Sequence, residues 1–374
     1  MVTRSRRGGR SAHGRPTPRS GRGWAVATML LGLVALGAAA SEPPGALRID
    51  QLRLLGTHNS YHVAPDRFAA GLIAAAVPGE ASAIDCTQRP IAEQLGRLAL
   101  RHFEFDCYRD PEGGMYARPL ARELAAAAGK PAPLEWAEAL AGPGIKVLHS
   151  PGFDYRTTVP TLARALREVR EWSDARPSHV PVFLLLELKS DAFAPPRPLP
   201  WDDRGFEELE ATILEAFPRE RLLTPDDVRG GAETLRDAVR GRGWPALEDH
   251  RGKVVCLLDN EGGVRDAYLA RSPVLAGRLL FVSVAPDHPA AAFMKRNDPV
   301  AAHDEIRALV DEGFLVRTRI DAGLDEPRRG DLGRFRRALS CGAQLLSTDV
   351  PEADDRFPGY VVDVPPPPGE QGDD

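Results

Sequence analysis

Four cysteines in 374 residues are too few for a disulfide scaffold. Beyond residue 40 no apolar run is long enough to span a bilayer. No glycine-rich phosphate fingerprint follows the first predicted strand, which counts against a doubly wound open sheet. Imidazole–thiolate clusters with zinc spacing are missing, and the methionines and aromatic residues form no cofactor box. A cation surplus is missing too: 48 Lys+Arg stand against 53 Asp+Glu, a formal net charge of −5. Residues 1–40 hold seven arginines and no acid, so the remainder carries 41 basic and 53 acidic groups, or −12. That body is a poor partner for nucleic acid, because neutralising phosphates takes clustered cations.

What is present begins with a leader. A basic segment, an uncharged run over 24–40 (WAVATMLLGLVALGAAA) and small residues before Ser41 read as a secretory signal peptide. An uncleaved membrane anchor is the alternative. Either way the chain is expected outside the cytoplasm, where disulfides become possible. Cys86 and Cys107 are candidates to pair, whereas Cys256 and Cys341 read as buried thiols. The Pro-rich residues 361–374 read as a disordered tail, leaving a single catalytic domain over 41–360.

Eight short apolar runs carry strand signals: 52–57, 100–106, 145–149, 182–189, 253–259, 278–284, 314–319 and 344–348. Helical periodicity lies between most of them, as at 91–98, 159–172, 206–217, 300–310 and 331–339. Strands that alternate with helices and are buried on both faces predict an α/β fold of the (β/α)8 TIM-barrel type. The long connection 190–252, between the fourth and fifth strands, reads equally as a surface excursion or a wall of the cleft.

In such a barrel, catalytic groups stand at the C-terminal ends of the strands. Here those ends carry His58 and Asn59, Glu104 and Asp106, His149, Glu187 with Lys189, Asp259, Arg317 with Arg319, and Thr348-Asp349. Period-two alternation points Glu104 and Asp106 together. Carboxylates inside runs such as FEFD and LLLELK are costly to bury without a cation. Three carboxylates and an amide are all oxygen donors, which suits a hard cation, Ca2+ before Mg2+. Two histidines suit acid–base work, and Arg and Lys suit an anionic group. Together these parts describe phosphoryl chemistry. His62, His102 and His250 lack that placement and read as structural or surface residues.

GTHNSYH, FEFDCYRDP, LHS and LLLELK, taken in this order, resemble the phosphatidylinositol-specific phospholipase C superfamily, nearest its bacterial, secreted, calcium-dependent branch. The likeness runs through TPDDVRG, KVVCLLD, VRTRID and LSTDVP, over roughly residues 50–355. It implies a TIM-type barrel with one Ca2+ held by Asn59, Glu104, Asp106 and Glu187, and with His58 and His149 as catalytic residues. It also implies phosphatidylinositol cleavage to diacylglycerol and a cyclic inositol phosphate. Lys189, Asp259, Arg317 and Arg319 become phosphate or inositol contacts. The expected partner is a phospholipid at a membrane surface, with no nucleic acid and no obligate protein partner. Rival readings are a glycerophosphodiester phosphodiesterase, whose first strand would read His-Arg-Gly rather than His58-Asn59-Ser60, another phospholipid phosphodiesterase, and an inactive lipid-binding barrel.

Overall fold

A computed structural model describes residues 46–130, 134–192 and 194–370. The expected leader and the last four residues of the tail lie outside the described residues. Nine strands are formed among them: β1 (Leu54–Thr57), β2 (His102–Tyr108), β3 (Lys146–Val147), β4 (Val182–Leu188), β5 (Val254–Leu258), β6 (Leu280–Val282), β7 (Phe293–Lys295), β8 (Leu315–Arg319) and β9 (Leu345–Thr348). Eight pair in parallel in the order β6-β5-β4-β2-β1-β9-β8-β7. One parallel bridge, Ser283 to Phe293, links the two ends of that row. The sheet therefore wraps into a nearly closed TIM-type barrel, as expected.

The apolar runs dictate this. Every residue of β2 and β5 is buried, and in β4 only Glu187 is partly exposed, so these strands need cover on both faces. Helices supply the outer cover. In Leu162–Ala175 the buried Leu162, Ala165, Leu166 and Val169 fall at helical spacing, and the Thr161 side chain caps the first turn by accepting from Arg164 N–H. The other expected helices appear as Ile91–Gly96, Asp203–Ala216, His303–Asp311 and Gly333–Ser340. Gly56 faces His102 across β1 and β2, and a Cβ there would lie 2.0 Å from the His102 carbonyl oxygen. Only glycine lets these two strands meet.

Three expectations change. The run 145–149 is not a barrel strand: just Lys146–Val147 pairs, antiparallel to Cys107 and Tyr108, and β2 joins β4 directly. Its backbone is engaged instead by the following loop, with Val147 N–H donating to Pro160 O. The eighth barrel strand is β7, whose three residues follow an alanine run and give little strand signal. Cys86 and Cys107 do not pair; all four cysteines are free and buried. Cys107 belongs to the main core, while Cys86 packs in a satellite cluster with Leu324, Val350, Phe357 and Tyr360. Finally, the tail expected to be disordered lies on the body as far as Glu370. Val362 and Val364 pack against the core, and the Glu370 carboxylate pairs with the buried Arg101.

Most of the connection 190–252 wraps the barrel wall. Phe206, Leu209 and Ile213 of its helix, with Trp244, enter the main core. Its first residues stay at the mouth, where Asp191 and Ala192 line a cavity. No helix among the described residues is long and apolar enough to cross a membrane.

Candidate active site

At the C-terminal end of β1 the backbone turns through a left-handed Asn59, φ 45°, a conformation asparagine tolerates better than most residues. Ser60 secures the turn: its hydroxyl lies 2.7 Å from that of Thr57 and accepts from Glu104 N–H at 2.8 Å. His58 and Asn59 are thus set beside the end of β2. The register of β2 on β4 places Asp106 opposite Glu187. Oxygen atoms of Glu104, Asp106 and Glu187 come within 4.8 Å of one another.

This acidic cluster is short of positive charge. Among the described residues neither oxygen of the buried Asp106 carboxylate has a well-formed hydrogen bond, although Lys189 Nζ stands 3.1 Å away and 3.0 Å from Glu187. Burial, offset in part by Lys189 and reinforced by Glu187, pushes the Asp106 carboxyl up to about 6. An all-oxygen set with orphaned acceptors fits a hard divalent cation such as Ca2+.

Two histidines stand at the same mouth. His58 Nδ1 lies 2.7 Å from Asp349 Oδ1, and Arg319 donates to Asp349 Oδ2 at 2.8 Å. Arg319 also approaches His58 Nε2 at 3.3 Å. Because arginine can only donate, His58 is held with its proton on Nδ1 and a lone pair on Nε2. Burial would raise the Asp349 carboxyl, but its neighbours His58 and Arg319 hold it at about 2. His149 follows β3, whose pairing with the end of β2 brings it over the mouth. Its Nδ1 lies 2.8 Å from Asp154 Oδ2, which His62 Nε2 also meets at 2.8 Å. Burial disfavours charge on His149, yet the hydrogen bond and charge of Asp154 prevail and raise it to about 8.

Two contiguous cavities, of about 420 and 150 Å³, open over these groups and share His149. Lys189 lines the larger and Arg319 the smaller, beside His58 and Asn59. The other two expected substrate contacts are placed differently. Arg317 is buried and spends its guanidinium on Glu104, Asn297 and Ser347. Asp259 is buried as well and held by Lys295 Nζ at 2.9 Å. Both support the mouth from below and line neither cavity.

Asp154, Lys295 and the part played by His62 were missed in the sequence. His62 lies four residues after His58 in GTHNSYH, and Asp154 five after His149 in HSPGFD. A carboxylate soon after a strand-end histidine was the available signal.

A TIM-type barrel whose C-terminal mouth combines an oxygen-donor cluster with carboxylate-held histidines has the layout of a metal-assisted acid–base enzyme. Residues 47–368 match the family described as phosphoinositide phospholipase C, Ca2+-dependent. The chain belongs to this family of phosphoric diester hydrolases. Among solved structures it is similar to a calcium-dependent phosphoinositol-specific phospholipase C from a Gram-negative Pseudomonas sp., with 17% identity and a TM-score of 0.51, covering 86% of this chain and 95% of that one. It is also similar to a Ca2+-dependent phosphatidylinositol-specific phospholipase C from Streptomyces antibioticus, with 18% identity, a TM-score of 0.50, and 82% and 96% coverage. At such identity these likenesses concern the fold. Among curated proteins none matches the chain.

Proposed function

We propose that this chain is an exported enzyme that cleaves phosphatidylinositol at a membrane surface, releasing diacylglycerol and a cyclic inositol phosphate. The observation that carries the reading is the pair of mouth histidines, each held at Nδ1 by its own aspartate beside one acidic cluster. Asn59, Glu104, Asp106 and Glu187 would hold a single Ca2+, which supplies positive charge to a phosphate oxygen and steadies it as charge builds there.

The residues divide the proton work. His58, with Asp349 fixing its tautomer, takes the proton of an inositol hydroxyl at Nε2 as that oxygen bonds to phosphorus. His149, charged at neutral pH, gives its Nε2 proton to the glycerol oxygen as the bond from phosphorus to that oxygen breaks. Arg319 and Lys189 line these cavities and would meet the anionic headgroup. Ile73, Val77, Ile84 and Phe153 make the larger cavity apolar next to His149, which suits the diacylglycerol side of a lipid.

Hydrolysis of phosphatidylinositol by the chain from Ser41 onward, with Ca2+ and with excess chelator, tests this. Activity with Ca2+ that vanishes with chelator is expected. Activity indifferent to chelator would discard the cation assignment, and cleavage of glycerophosphodiesters alone would discard the substrate.

A further inference from the structure

The floor of the barrel, at the N-terminal ends of the strands, carries a second built cluster of charge, at the opposite end from the mouth. Arg101 immediately precedes β2, and its side chain is 2% exposed. Its Nη1 donates to the Leu95 and Leu100 carbonyl oxygens at 2.8 and 2.7 Å, and the guanidinium lies over the Trp172 ring, 4.3 Å from the centroid. The body of the protein thus fixes this cation by itself. Its remaining face meets the Glu370 carboxylate: Nε donates to Oε2 at 2.8 Å, and Nη2 donates to the same oxygen. Val180 N–H, just before β4, donates to Oε1. A cavity of about 170 Å³ opens beside this carboxylate and is lined also by Arg176, Ser178 and His179.

We propose that Arg101 and the Val180 N–H form a carboxylate-binding site on the barrel floor, that Glu370 is its resident ligand, and that residues 361–370 are a releasable strap latched there. The donors that read the carboxylate all belong to the body, and they reach its two oxygens from two separate points. The strap brings the ligand and not the site. Val362 and Val364 lie against the core, but the prolines 365–368 have no N–H to donate, so the polar hold concentrates at Glu370. Arg251 adds a long bond, from Nη1 to the Pro368 carbonyl oxygen at 3.4 Å. A charge-assisted contact this well buried is of the strong kind, and losing one partner leaves the other uncompensated. The adjoining cavity gives a competing carboxylate an approach to Arg101, which is what makes the latch releasable. No floor residue enters the chemistry proposed for the mouth, so the two readings stand or fall separately.

The test is thermal unfolding of the full chain in sodium acetate and in sodium chloride at equal ionic strength. Glu370→Gly removes the ligand and leaves room for acetate, and in chloride its Tm should fall by about 5 °C. Rising acetate should then return part of that loss, beyond any change it causes in the wild type, whose site is filled. In Arg101→Met the same change at Glu370 should cost little more, because the two residues act as a unit. An unmoved Tm in Glu370→Gly would overturn the proposal. So would equal recovery in acetate and chloride, or an acetate effect no larger than in the wild type. Should Arg101→Met not fold, the acetate series on Glu370→Gly decides alone.

Discussion

At both mouth histidines an aspartate takes Nδ1, at 2.7 Å for His58 and 2.8 Å for His149, yet the second partner of each aspartate differs. Asp349 shares itself with Arg319, whose guanidinium also faces His58 Nε2. Asp154 shares itself with His62, which lies behind it, and among the described residues nothing cationic is hydrogen-bonded to the other ring nitrogen of His149. On the function proposed above, one contact motif would serve a base at His58 and an acid at His149, with the neighbour behind the carboxylate setting which. Tuning of this kind needs no change in the histidine itself.

The sharpest way to break that comparison is to remove each histidine. His58→Ala and His149→Ala should each lower kcat on phosphatidylinositol by about 10²–10⁴-fold, with calcium binding measured by calorimetry nearly unchanged. Next come the aspartates. Asp349→Asn should cost about 100-fold through misorientation of His58. Asp154→Asn should cost less at acidic pH and more as pH rises, because His149 then loses its proton earlier. In the wild type, activity should fall as pH rises through about 8, where His149 deprotonates. The stability sign agrees. The raised His149 contributes fully below its unfolded value of about 6.5, and that contribution is lost as pH climbs through about 8, which denaturant titration across this window measures. Glu187→Gln probes the ground between the two histidines: half-saturation with Ca2+ should shift about tenfold or more, with little loss at saturation. The smallest effect concerns docking. With an acidic body, binding to anionic vesicles should change little with added salt, and a marked loss would point to a basic surface instead.

The barrel was legible because β2, β4 and β5 are mostly apolar runs, and the acidic cluster because Glu104, Asp106 and Glu187 interrupt two of them. Two staves were misread for a physical reason. β7 is three residues after an alanine stretch, while 145–149 has the composition of a strand but spends its hydrogen bonds on a loop. His149 still arrives at the mouth, since pairing with the end of β2 puts it there. Arg317 and Asp259 show the limit at the site. Strand-end position is visible in sequence, but whether a side chain faces the cavity or a buried partner depends on Glu104 and Lys295, residues distant in the chain. Asp154 and His62 were hidden likewise, because their meaning lies in contacts 92 residues apart.

The division of labour between the histidines is tested most directly with an inositol phosphodiester whose leaving group is a nitrophenol, a far weaker base than the glycerol oxygen. Such a group departs without an acid. His149→Ala should therefore lose orders of magnitude less on this substrate than on phosphatidylinositol, while His58→Ala should lose about as much on both. If the two variants lost activity in equal proportion on both substrates, or if His58→Ala were the one relieved, the assignment of base and acid would be contradicted.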